Sequence, residues 1–185
     1  MTITVRTLVA ATFCAAVALA ANAPAPTIAN ILDGSIGSIE RELVPLVEAM
    51  PEAKMDFAPA AGEFKRVRTF AQQAKHVAYI VYAVSAAALG EKNPSTSAPD
   101  ENGPAEVKSK NEIVKYLKDA FAYAHKAAQS LTAQNATELM ASPFGSGKMP
   151  KMAAVQVASW HSFDHYGQMV VYARMNGMLP PASRQ

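Results

Sequence analysis

The chain has 185 residues, half of them hydrophobic and 17% charged, with 17 Lys and Arg against 15 Asp and Glu. That length supports one domain with a sizeable core and is too short for two ordinary ones, and so even a charge balance excludes the basic stripe of a nucleic-acid module. A single cysteine excludes a disulfide framework, a zinc ribbon or an iron–sulfur cluster built from this chain alone, which leaves histidines or carboxylates as metal ligands.

Residues Met1-Thr2-Ile3-Thr4-Val5-Arg6 precede an apolar run from Leu8 to Ala20. One basic residue, a short apolar stretch and the small residues of Ala18-Leu19-Ala20 form the pattern of a secretory signal peptide cleaved after Ala20. The run is short for a membrane span, so no stable membrane insertion is expected after cleavage. The expected organisation is a signal peptide over residues 1–20 and one domain over 21–185, exported and periplasmic. Arg6 and Cys14 would leave with the leader, and the mature domain would be nearly neutral and thiol-free. Pro24 to Pro26 reads as a short lead-in.

From Thr27 the apolar residues Ile28, Ile31, Leu32, Ile36, Ile39, Leu43, Leu46, Val47 and Met50 recur at helical spacing. They predict a first helix over 27–50, weakened by Gly34 and Gly37 and kinked late by Pro45. Pro51, Pro59 and Gly62 mark a loop. A second helix is predicted over 63–89 on the stripe Val67, Phe70, Ala74, Val77, Ile80, Val84 and Ala88, with Gly90 as its stop. Residues 90–104 hold many turn formers and no large apolar side chain, so they form a long connection.

The third helix is placed from Pro104 or Ala105, with Ile113, Leu117, Ala120, Ala124, Ala127 or Ala128, and Leu131 facing inward. Residues 141–150 form the next loop. Its Gly145-Ser146-Gly147-Lys148 lacks the spacing and the preceding strand of a phosphate-binding loop. The last helix is predicted over 151–176, packing Val155, Trp160, Phe163, Gly167, Val170 and Met175, and ended by Gly177. Period-two alternation is absent, so no sheet is expected and the fold class is all-α, a four-helix bundle. The 90–104 connection, at most about 50 Å when extended, is long enough to run beside a second helix of about 40 Å, so helices 2 and 3 can point the same way.

Four histidines remain: His76, His125, His161 and His165. His161 and His165 stand at i and i+4 in Trp160-His161-Ser162-Phe163-Asp164-His165-Tyr166, one turn apart on one face, where two imidazoles can bind one ion. His76 falls near the midpoint of the predicted second helix, and the pair brackets the midpoint of the fourth. If those helices are neighbours, three rings meet at one depth. His125, at the edge of helix 3's stripe, reads as a surface or boundary residue.

Two blocks resemble the DinB-like family of four-helix-bundle metalloproteins. One is His161 to Val170 running into Arg174-Met175-Asn176-Gly177 and Pro180-Pro181-Ala182-Ser183. The other is Met50-Pro51-Glu52-Ala53-Lys54-Met55-Asp56-Phe57 with Arg68-Thr69-Phe70-Ala71-Gln72-Gln73-Ala74-Lys75-His76-Val77. The resemblance implies an up-down-down-up bundle with a long connection between helices 2 and 3. It also implies a metal held by one histidine of helix 2 and a His-x-x-x-His pair of helix 4. Carried over, those ligands are His76, His161 and His165, and His125 matches none.

Three neutral imidazoles on a divalent ion leave positions for water or substrate. Zinc, nickel and iron all suit them, and the ion would activate water or polarise a carbonyl of a small-molecule substrate. Members of the family act as thiol-dependent transferases and isomerases, but a thiol-free exported chain favours hydrolysis. The alternatives are a thiol-dependent transferase and a non-catalytic periplasmic metal- or ligand-binding bundle. A homodimer suits such a bundle. Asp164 either orients an imidazole or makes a surface ion pair, and Gln72 and Tyr79 lie within a turn of His76. Arg174 reads as a helix-dipole partner, and the irregularly spaced Met149, Met152, Met169, Met175 and Met178 as packing.

Overall fold

The computed structural model describes residues 25–95 and 100–184; the predicted signal peptide and Cys14 lie outside the described residues. Among the described residues four long helices make up the fold: α1 (Ile28–Ala49), α2 (Phe70–Leu89), α3 (Lys110–Gln129) and α4 (Lys151–Met175). A two-stranded hairpin, β1 (Leu139–Ala141) and β2 (Lys148–Pro150), precedes α4. None of the described helices is long and apolar enough to cross a membrane.

Helix directions follow from which ends touch. Glu91, just past the end of α2, accepts hydrogen bonds from Tyr123 and Lys126 near the end of α3, so those two helices run parallel. His125 reaches Asp33 and Glu40 near the start of α1, and Lys118 pairs with Glu48 near its end, so α3 opposes α1. Arg68, Gln73 and His76 meet Tyr172, Gln168 and His161 in turn, so α4 opposes α2. The bundle is therefore up-down-down-up, with α2 and α1 each packed between α3 and α4.

The core is aliphatic. Ile36, Ile39, Leu43, Leu46 and Val47 of α1 meet Val77, Val81 and Val84 of α2 and Ile113, Leu117 and Phe121 of α3, all essentially inaccessible. Burying each such side chain contributes about 1.5–3 kcal/mol, which lets α1 tolerate Pro45 inside it. Ile31, expected on the inner stripe, is exposed.

Two helix starts differ from expectation, for one reason. α2 begins at Phe70 rather than 63, because Thr69 caps it in a reciprocal box with Gln72. The next two free donors, the amides of Phe70 and Ala71, bond the carbonyls of Phe57 and Met55. The preceding loop therefore wraps the helix start. α3 begins at Lys110 rather than 104 because Ser109 and Glu112 form the same box. Both boxes are Ser/Thr-x-x-Gln/Glu signatures, whereas the apolar stripe alone overran the first and a proline misplaced the second.

The hairpin overturns the expectation of no sheet. Leu139 pairs with Pro150, Met140 with Met149 and Ala141 with Lys148, too short a ladder for alternation to register. Pro150 offers α4 no side-chain cap. Carbonyls of Glu138 and Ala136 take the amides of Lys151 and Met152 instead, satisfying donors that a helix start leaves orphaned. The Gly145-Ser146-Gly147-Lys148 stretch lies across this turn and into β2.

The inner face of α4 also differs. It carries Ala154, Val155, Ala158, Ser162, His165, Met169, Tyr172 and Ala173, at three- and four-residue spacing. Trp160, Phe163 and Met175, expected to pack, are exposed, as is Gly167. Alanine, serine and histidine share this face with Val155, Met169 and Tyr172, while Trp160, Phe163 and Met175 face outward.

Candidate metal centre

His76 lies in the second turn of α2, and His161 and His165 are one turn apart on the antiparallel α4. The shortened α2 removes the matched midpoints, but α4 descends past the start of α2 and the rings still converge. Ring centroids are 5.1, 4.8 and 4.5 Å apart, and one nitrogen from each ring lies within 4.8 Å of the other two. His76 and His165 are buried and His161 is half-buried.

The hydrogen bonds fix which nitrogen of two rings is free. His76 Nδ1–H donates to the Glu101 carbonyl at 2.7 Å, leaving its Nε2 lone pair facing His161 Nε2 at 3.2 Å. For His165 the assignment starts at Asp164, whose carboxylate can only accept. Gln168 Nε2 donates to Asp164 Oδ2 at 3.1 Å, and Gln168 Oε1 accepts from Gln73 Nε2 at 3.0 Å. Gln73 Oε1 is then left to accept from His165 Nδ1–H. His165 therefore also turns a bare Nε2 inward.

Burial first, and the neighbouring imidazoles second, lower the pKa of His161 to about 4 and of His165 to about 3. Burial also lowers that of His76, against its bond to Glu101. His161 Nε2–H can donate to the bare Nε2 of His76 when no cation is present, and a cation would take the place of that proton. Nitrogens 3.2 Å apart are close to the ~3.4 Å edge of a tetrahedral site with metal–imidazole bonds of about 2.1 Å. The donor set fits a divalent ion of the zinc, nickel or iron type.

Residues 38–169 match the DinB superfamily, well over half of the chain. The chain belongs to the DinB superfamily. Solved structures of two DinB-like proteins share the fold. One, from Bacillus cereus, is 18% identical with a TM-score of 0.62, covering 80% of this chain and 94% of its own. The other, YjoA from Bacillus subtilis, is also 18% identical with a TM-score of 0.62, covering 84% and 100%. No curated protein matches the chain.

Set against the DinB-like pattern expected from the residues, the structure brings together the three named histidines and keeps His125 away. Asp164 makes no ion pair among the described residues and touches no imidazole directly; it bears on His165 only through the amide relay of Gln168 and Gln73. Gln72 is spent on the helix cap, and its neighbour Gln73, buried between α2 and α4, is the residue that orients His165. Sequence reasoning missed Gln73, Gln168 and the Glu101 carbonyl. Gln73 three residues before His76 and Gln168 three after His165 were the available signal. Arg174 stands in the last turn of α4 and bonds Ser183, while Met169 is core.

His125 is instead a clasp between α3 and α1, 2.6 Å from Asp33 and 3.1 Å from Glu40. Burial depresses its pKa, but the bonds to the two carboxylates outweigh this and raise it above 6.5. A pKa raised by folding means stability fully present below about pH 6.5 and lost as pH climbs through the folded value. His125→Gln should cost about 1 kcal/mol in a clasp this solvent-screened, or roughly 2–4 °C in Tm. Melting curves of both proteins at about pH 5.5 and about pH 8.5 check the sign: the gap narrows at the higher pH.

Proposed function

We propose that the chain is an exported, metal-dependent hydrolase acting on a small molecule, with His76, His161 and His165 as its metal ligands. One observation carries the reading: three ring nitrogens within 4.8 Å of one another, two of the rings held by outer hydrogen bonds, with open cavities bordering the cluster. Three protein ligands leave room for a reactant, as catalytic rather than structural sites do. When bound, a divalent ion would supply electrophilic polarisation of a water or a substrate carbonyl.

The remaining chemistry belongs to the chain. Glu101 holds His76 through its backbone, and its residue lines a cavity beside His76 and His161. Among the described residues no other carboxylate residue lines either cavity beside the cluster, so Glu101 is the candidate to accept a proton from an attacking water. The Gln73–Gln168 relay keeps His165 in one tautomer through a catalytic cycle. Export rests on the leader pattern of residues 1–20.

The test loads the purified chain with zinc, nickel or iron(II) and assays ester, amide and phosphoester hydrolysis beside a Glu101→Gln variant. Turnover should fall about 100-fold in the variant with the metal content unchanged. A metal-loaded chain that hydrolyses none of the three bond types would refute the hydrolase reading.

A further inference from the structure

Two cavities of different chemistry abut the histidine cluster. One, about 560 Å³, is bordered by His165, Arg66, Arg68, Gln72 and Asn102. The other, about 420 Å³, is bordered by His76, His161, Ile80, Phe144, Met149 and Trp160. The donor nitrogens lie within 4.8 Å of one another, so the cluster is the boundary that the two cavities share. The loop over it follows the same division: Glu101 borders the apolar cavity and Asn102, the next residue, borders the polar one.

The polar cavity has two guanidinium groups and no carboxylate residue in its lining. Arg68 donates to Asn102 at 2.8 Å and approaches Glu101 only to 4.0 Å. Arg66 makes no ion pair among the described residues. Its φ is +66°, and the only other described non-glycine residue with positive φ is Glu101. Such backbone costs about 1–3 kcal/mol and gathers at ligand sites. Both instances border the cluster's cavities.

The apolar cavity takes its wall from two separate elements, Phe144 and Met149 from the hairpin region and Trp160 from α4. Phe144 and Trp160 remain 50% and 55% exposed. The bundle core does not use them, and large apolar side chains left converging on one concavity mark a ligand surface.

Resting on the reading of the cluster as the reactive centre, we propose that its ligand is a small amphipathic anion. An apolar aromatic or acyl body sits against Trp160, Phe144 and Met149, a carboxylate-class head group lies at Arg66 and Arg68, and the bond between them crosses the histidines. Guanidinium forks match a carboxylate bidentately; Arg66 has no ion pair among the described residues to give up, and an incoming head group would displace only the 4.0 Å approach of Glu101 to Arg68.

Calorimetric titration with phenylbutyrate, its neutral amide and butyrate tests this, on zinc-loaded and chelated protein. Phenylbutyrate should bind about tenfold tighter than either of the others. Arg66→Gln with Arg68→Gln should reduce it to the level of the amide without changing zinc content. Arg66→Gln alone, which touches no described partner, should act in the same direction if the double variant misfolds. Trp160→Ala should bring both phenyl probes towards butyrate. Equal affinity for acid and amide, or no phenylbutyrate binding at millimolar concentration, would overturn the proposal. So would an acid preference seen only with zinc and untouched by Arg66→Gln, which would place the anion on the ion. Zinc content is measured separately: zinc bound without the acid preference defeats this proposal alone, and the acid preference without zinc defeats the metal reading alone.

Discussion

Replacing His161 and His165 together by alanine should take the chain from about one first-row metal ion per molecule to essentially none. Of the three nitrogens within 4.8 Å, two would be gone, and a single imidazole does not hold an exchangeable ion against water. The fold should survive. The rest of α4's inner face, from Ala154 to Ala173, stays packed, and the loss removes one buried and one half-buried polar ring along with their volume. A cost of about 1–3 kcal/mol is expected from the space left behind. Elemental analysis of folded protein reads the result, with circular dichroism showing that the helices persist. Metal content unchanged by the double substitution would remove the three histidines from the account.

Gln73→Leu should weaken metal affinity about 10- to 100-fold with all three ligands still present. Gln73 is 2% exposed and uses both ends of its amide, accepting from His165 and donating to Gln168. Leucine has nearly the same shape and neither function. His165 Nδ1–H then loses its acceptor in a buried position, and the ring has no reason to keep its Nε2 inward. Competition with a chromogenic chelator measures the change, and Gln72→Leu, one residue away, is the control. Gln72 serves the helix cap, so that variant should lose stability but keep its affinity. An affinity within twofold of wild type for Gln73→Leu would show the relay to be ornamental to the ligand.

The His161–His165 half of the cluster was legible because its signal is local. An i,i+4 pair lies on one face of a helix wherever the helix ends. The expected depth match of His76 rested on a helix start seven residues too early, and the rings meet because α4 passes the start of α2. Helix 3's stripe was legible throughout, since Ile113, Leu117, Ala120, Ala124 and Leu131 are all buried. On α4 the same reasoning failed for Trp160, Phe163 and Met175: size was taken for burial, whereas the buried face mixes alanine, serine and histidine with Val155, Met169 and Tyr172. The amide relay and the Glu101 carbonyl depend on contacts across 25 to 95 residues of chain, which no spacing rule encodes. The hairpin was hidden by its length.

The long connection between α2 and α3 has a bearing on how this bundle can be remodelled. Gly103 lies in it at φ +74°, and a Cβ there would come within 2.9 Å of Lys75 Cβ, so the segment is seated directly on α2 beside His76. A designer trimming the bundle would replace this segment with a tight turn and let α3 run back the other way. That simplification would delete Glu101 and Asn102 from above the histidines and merge the two compartments into open solvent. The chain order that looks wasteful for a scaffold is what gives the histidine cluster its roof.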